Sequence, residues 1–322
     1  MNKLTLGAYG LALLAMAHLS HGASVIGATG DTNSGRFDDN SFYQIDLDTR
    51  AATYLGTASV TPNQVAYDLT TNNIYYSDHN GTNFYRFNTI DNTEHFITDL
   101  TDVGLPPGKV GSGGGDFYDG RYYYTPETGA QGIQQISFNA DGSNVQEQSV
   151  ITPSNLGDFS DLSDGSAFAG LGDFGDIAIN NENGRLYGSS RLSQDGSTYA
   201  ALWYIDLTSP DYTIVLVDGD LDSRYQLAFD EDNRLWANRF TGTSGGQSAR
   251  LLEINQETGD VESQVLVRVD GRRGQGDFFD LASTNLREGI DINSDPLIVP
   301  EVSSSLLIIL GAMVSLFRRS RG

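Results

Sequence analysis

Apolar residues in the middle of the chain come in short alternating runs separated by clusters of Asn, Asp, Gly and Thr. No long stretch carries them at helical spacing. This pattern predicts β-strands joined by tight turns. The run NQVAYDLTTNNIYYSD (63–78) sets the type: a short apolar strand, a turn, then a second strand rich in aromatics. It returns as FGDIAINNENGRLYGSS (174–190) and YQLAFDEDNRLWANR (225–239), and in shortened form as GGDFYDGRYYYTPE (114–127). The turns TTNN, NNENG and DEDN, and the pair Asp119-Gly120, supply residues that tolerate left-handed backbone.

A second hairpin follows each of these: NFYRFNTIDNTEHFITD (83–99), IQQISFNADGSNVQEQSVI (133–151), ALWYIDLTSPDYTIVLV (201–217) and RLLEINQETGDVESQVLV (250–267). Two hairpins make one four-stranded antiparallel unit. FYQIDLDTRAATYLGT (42–57) is a second hairpin lacking its first, and GDFFDLAST (276–284) is a lone first strand; with ASVIGATGD (23–31) they build one more unit from both ends of the body. Gln64, Asp116, Asp176, Gln226 and Asp277 hold the equivalent position, at spacings of 52, 60, 50 and 51 residues. The repeat resembles a β-propeller of five four-stranded blades closed by strands from both termini, within the broad class of secreted bacterial propellers. Six blades would require the insertion NLGDFSDLSDGSAFAGLGDF (155–174) to hide a degenerate blade, and a two-sheet sandwich leaves the period unexplained.

Charge and composition narrow the partners. The chain of 322 residues has a net charge of -23, and Lys109 is the only lysine between residues 23 and 290. Such a body repels nucleic acid and anionic lipid and suits cations, or simply stays soluble. With no cysteine, the fold is held by packing alone and carries no thiol chemistry.

The candidate site is the ring of equivalent positions. The first strand of a propeller blade lines the central channel, so Gln64, Asp116, Asp176, Gln226 and Asp277 are expected at one level around the axis. Gly115, Gly175 and Gly276 precede three of them and allow close approach of backbone. Three uses are open: bonds to neighbouring blades and channel water; a Ca²⁺ site on Asp116, Asp176 and Asp277, because oxygen-only donors suit that ion; or glycan chemistry with Asp116 and Asp176 as the acid pair. The last rests on similarity in architecture to five-bladed glycoside hydrolases.

Weaker signals yield bland readings. DGDLDS (218–223) alternates Asp218, Asp220 and Asp222 but lacks the remaining calcium-loop positions, and is expected as a solvated loop. GSGGGD (111–116) lacks the Lys-Ser/Thr of a phosphate loop and is expected to lead tightly into a strand. His79 and His95 are too few for a histidine metal site, and His79 is expected exposed in a turn. The aromatics are expected mostly between sheets, with rim positions free to stack on sugars.

The two ends direct the chain rather than fold with it. Residues 1–22 have Lys3, a short apolar run and Ser20-x-Gly22, the layout of a secretory signal peptide. After a linker (291–298), residues 299–322 run Val299-Pro300-Glu301, an apolar helix candidate (302–317), then Arg318, Arg319 and Arg321. The basic end is expected to stay inside while the body is exported. This order resembles the PEP-CTERM sorting signal of Gram-negative bacteria, with Val302 where a second proline is usual. The resemblance implies a membrane-anchored precursor, recognition by an exosortase-type protease, and delivery to the cell surface or an exopolysaccharide-rich biofilm matrix. The body is then expected to be a binding or matrix protein, with a glycan-active enzyme or a structural coat protein as alternatives.

Overall fold

The computed structural model describes residues 23–30, 37–106, 113–126, 132–139, 142–153, 173–194, 197–221, 225–239, 249–274 and 278–285. Their strands form five four-stranded antiparallel sheets and one two-stranded ribbon, β20 (Arg268–Val269) with β21 (Arg272–Arg273), and no helix occurs among them. The segments expected as signal peptide (1–22), linker (291–298) and sorting tail with a transmembrane helix (299–322), and most of the insertion at 155–174, lie outside the described residues.

The first blade is β4 (Pro62–Asp68), β5 (Asn73–Asp78), β6 (Asn83–Asn88) and β7 (Thr93–Asp99). The second is β8 (Gly115–Tyr118), β9 (Arg121–Tyr124), β10 (Ile133–Phe138) and β11 (Val145–Ile151). The third is β12 (Asp173–Asn180), β13 (Arg185–Gln194), β14 (Ser197–Asp206) and β15 (Ile214–Leu221). The fourth is β16 (Tyr225–Phe229), β17 (Leu235–Arg239), β18 (Arg250–Ile254) and β19 (Val261–Leu266). The closing blade draws on both ends of the body. Its order is β22 (Asp280–Ala282), β1 (Ser24–Ala28), β2 (Ser41–Asp46) and β3 (Ala52–Thr57).

The inner strands touch in a ring: β4 on β8, β8 on β12, β12 on β16, β16 on β22, and β22 on β4. Direct contact between β8 and β12 leaves no room for a sixth blade at the insertion. Sequence and position agree. Inner strands such as β16 are buried at every residue, whereas the outermost strands β3, β7, β11 and β19 are largely exposed. Each of the five apolar cores lies between two adjacent blades. Between the second and third, Trp203 packs with Ile133, Ile177 and Ile179, and its indole N–H donates to Ser190 Oγ at 2.9 Å. Burial of such large side chains, each contributing about 1.5–3 kcal/mol, replaces the disulfides this chain lacks.

The turns behave as their residues dictate. Asn72, Asn92, Asp119 and Asn233 adopt positive φ. A recurring Asp-x-Thr turn has Thr70, Thr93, Thr101 and Thr208 donating to Asp68, Asp91, Asp99 and Asp206. These bonds to the charged carboxylate hold Asp91, Asp99 and Asp206 below the usual carboxylate range.

DGDLDS is not a loop throughout, because Asp218–Leu221 continue β15; Asp222 lies outside the described residues. His79 is half-buried rather than exposed, with its ring against Phe279 at 5.3 Å. The glycines before Asp116 do make a tight lead into β8. A Cβ on Gly114 would lie 1.7 Å from Asp176 Oδ1 and 2.3 Å from the Ile177 nitrogen.

Candidate functional site: the axis of the propeller

An inner strand has a sheet partner on one side only. Its channel-facing N–H groups need acceptors that the ladder cannot supply. Three aspartates provide them in the same way. Asp116 Oδ2 accepts from the Ile179 amide of the third blade at 2.5 Å, and its Oδ1 from the following amide of Phe117 at 2.8 Å. Asp176 repeats this one blade on, with Leu227 at 2.7 Å and Ile177 at 2.6 Å. Asp280 does so between the closing and first blades, with Val65 at 2.7 Å and Leu281 at 3.0 Å. Each carboxylate therefore clips its blade to the next.

The other two junctions use different groups. Gln64 sits at a bulge in β4 with φ of 55°. Its carbonyl accepts from Tyr122 Oη at 2.6 Å, and its amide donates to the Thr125 carbonyl at 2.8 Å. At the fourth junction the Phe229 amide donates to Ser283 Oγ, while Asn238 donates to the Phe278 carbonyl. Gln226 is buried, and its side-chain oxygen has no hydrogen-bond partner.

The chain leaving β22 then crosses the axis. Ser283 Oγ donates to Asp116 Oδ2 at 2.7 Å, joining the closing blade to the second. Asn285 donates to the Ile179 carbonyl at 2.9 Å and to Asn233 Oδ1 at 3.0 Å, and Asn181 donates back to Asn285.

Burial pushes Asp116 up to about 7, against the opposing effect of its bonds from Ser283, Ile179 and Phe117. Burial and then the charge of Asp280 raise Asp176 well above the carboxylate range. Burial also raises Asp280, which lies within hydrogen-bonding reach of Asp176. The two carboxyls resist ionising together, since two buried like charges repel strongly at close range.

Of the sequence-predicted positions, Asp116 and Asp176 face the axis, Gln64 is turned into a junction, and Gln226 is buried at its register position. Asp277 lies outside the described residues, and the strand position matching Asp176 and Gln226 is held by Asp280. Asp280, Ser283 and Asn285 were not foreseen. The signal for Asp280 is visible in retrospect: Gln64-Val-Ala, Gln226-Leu-Ala and Asp280-Leu-Ala share one pattern, while the Gly-Asp pair at 276–277 imitates Gly115-Asp116. The sorting residues Val299, Pro300, Glu301, Arg318, Arg319 and Arg321 are outside the described residues.

Of the expected Ca²⁺ ligands Asp116, Asp176 and Asp277, the last lies outside the described residues, and the other two are poorly placed as free donors. That ion takes six to eight oxygens, whereas the oxygens of Asp116 and Asp176 already accept backbone amides. Among the described residues no three Asp, Glu, His or Cys side chains are placed to hold a metal. A glycosidase acid pair fits no better, because Asp116 and Asp176 are 1% and 0% exposed and cannot meet a substrate.

The fold and its axis define a five-bladed β-propeller. No protein-family model matches the sequence, and no curated protein matches it. Among solved structures it is similar to a structural-genomics protein of unknown function from Bacteroides thetaiotaomicron, at 17% identity and a TM-score of 0.44, covering 66% of this chain and 55% of that one. The chain thus spans just over half the length of that relative. It is also similar to a gluconolactonase from Xanthomonas campestris, at 13% identity and a TM-score of 0.42, with 76% and 71% covered. A chain of a nidogen/laminin complex gives 10% identity and a TM-score of 0.44, with 81% and 97% covered.

Proposed function

We propose that this protein is an exported binding propeller that works outside the cell without cleaving its ligand. The observation that carries the non-catalytic reading is the use of Asp116 and Asp176. Both are buried, and their oxygens are engaged by amides of their own and neighbouring blades. General acid catalysis needs a carboxyl within reach of the leaving group; these two hold the ring together instead.

The sequence of the two ends supports the address. A signal-peptide layout starts the chain, and the order Val299-Pro300-Glu301, apolar run, Arg318-Arg319-x-Arg321 closes it. In this reading an exosortase-type protease processes the tail after export, and the propeller joins the cell surface or matrix. A rigid ring of five blades with exposed outer strands is suited to presenting a binding surface.

The test has two arms. The full chain is incubated with a panel of neutral and acidic glycans while retention and new reducing ends are both measured. Retention without cleavage is expected. Cleavage that disappears in a folded Asp116→Asn/Asp176→Asn variant would overturn the reading. In a host with an exosortase, Pro300→Ala/Glu301→Ala is expected to leave the precursor membrane-bound, and normal processing of that variant would overturn the sorting assignment.

A further inference from the structure

One turn of the first blade carries two polar side chains that make no bond within the fold. β5 and β6 are joined by His79-Asn80-Gly81-Thr82, between Asp78 and Asn83. Asp78 is buried and staples this turn. Its Oδ1 accepts from the Thr82 amide at 2.9 Å and the Asn83 amide at 3.3 Å, and its Oδ2 from the Asn83 side chain at 2.8 Å. Its carbonyl accepts from the Gly81 amide at 2.7 Å. Gly81 supplies the left-handed residue, with φ of 68°. His79 packs its ring on Phe279.

Asn80 and Thr82 remain. Asn80 is exposed, and the positive φ falls on Gly81, so the turn does not call on asparagine's tolerance of that conformation. Among the described residues the Asn80 side chain has no hydrogen-bond partner, and Thr82 bonds only through its backbone, to Asp78 and Leu100. Threonines of other turns behave differently: the hydroxyls of Thr70, Thr93, Thr101 and Thr208 each donate to an aspartate. The fold thus employs Asp78, His79, Gly81 and Asn83, and leaves Asn80 and Thr82 idle.

Those two idle residues define a pattern. Asn80-Gly81-Thr82 is the only Asn-x-Ser/Thr triplet in the 322 residues. Without a central proline, it is the acceptor signal for N-linked sugar, which belongs on a surface turn of an exported chain. The structure supplies such a turn. It lies at the end of the ring where β22 is entered, beside Phe279. Beyond β22 the chain leaves at the opposite end, where Asn285 meets Asn181 and Asn233. A bulky group on Asn80 therefore sits away from the end that leads to the C-terminal tail.

We infer that Asn80 is an acceptor site for an N-linked glycan, the donor being a polyprenyl-pyrophosphate oligosaccharide. The bond from Asn80 Nδ2 to the sugar C1 forms and the bond from C1 to the pyrophosphate oxygen breaks. The amide nitrogen loses one proton, polyprenyl pyrophosphate departs, and no oxidant or reductant is consumed. This rests on the export reading above, because such donors are used on the outer side of the membrane.

The test incubates the folded full chain, in mild detergent, with a purified single-subunit bacterial oligosaccharyltransferase and its polyprenyl-pyrophosphate oligosaccharide, and reads intact and peptide masses. A gain of one oligosaccharide on the peptide containing Asn80 is expected. It should vanish in Asn80→Gln and in Thr82→Ala and return in Thr82→Ser. These variants should melt with wild type, because neither side chain has a bond to lose. Sugar that persists in Asn80→Gln, or equal transfer to Thr82→Ala, overturns the assignment. So does transfer to a synthetic peptide of residues 76–84 but not to the folded chain, since the fold then hides the site. The export reading fails separately. A chain that stays cytoplasmic in an exporting host yet accepts sugar in the purified reaction would sink that reading alone. A chain exported in a host carrying the transferase that gains no sugar would sink the site alone.

Discussion

Asp116 makes the stability of the ring depend on pH in a direction opposite to that of an ordinary surface carboxylate. Its carboxyl lies at about 7 in the folded protein, against an ordinary value of 3.8. Below pH 4 both folded and unfolded chains hold the proton. As pH rises from about 4 the unfolded chain releases it first, so stability falls until the folded group also ionises near 7. At about 1.4 kcal/mol per pH unit, this single group removes about 4 kcal/mol across that window.

Asp116→Asn cannot ionise and should lack this part of the slope. It pays a different cost. Both oxygens of Asp116 accept backbone N–H groups, so the amide nitrogen of Asn must face either Ile179 or Phe117 donor to donor, at about 1–3 kcal/mol. The variant is therefore expected to be less stable than wild type at pH 4 and equal or more stable at pH 8. The difference between the two should swing by about 4 kcal/mol. Urea unfolding at fixed ionic strength, followed by the buried Trp203 and Trp236, measures it. Because the group is buried, the swing should survive high salt, which screens the repulsion among surface charges. A swing below about 1 kcal/mol, or one of opposite sign, would refute the linkage argument.

Other expectations follow from single contacts. Ser283→Ala removes the hydroxyl that donates to Asp116 and accepts from Phe229; it should raise the Asp116 titration further, read by carboxyl ¹³C NMR, and a downward shift would contradict the assignment. Gly114→Ala drives a methyl into Asp176 and the Ile177 amide, so a melting midpoint equal to wild type would show that the strands can part there; a loss of about 1–3 kcal/mol or more is expected. Trp203→Ala empties the core between the second and third blades and should cost about 3–5 kcal/mol in urea unfolding.

The architecture was legible because its causes are local. Period-two alternation, Asn and Gly at the turns and a repeat near fifty residues are written into adjacent positions, and they suffice for four hairpin pairs and the shared last blade. Asp116 and Asp176 were legible as axis residues for the same reason: they recur at one place in the repeat. Closure of the ring decided the rest. Asp280 meets the first blade because β22 registers against β1 through Ile26, Gly27 and Ala28. Gln64 leaves the channel level because a bulge turns its backbone left-handed. Ser283 and Asn285 reach blades that are distant in sequence only once both ends of the body share one sheet. Whether an aspartate on an inner strand is a reagent or a clip is a question about which amides lack partners. That is set where five separate strands converge, so the chain in isolation names the residues and the folded ring assigns their use.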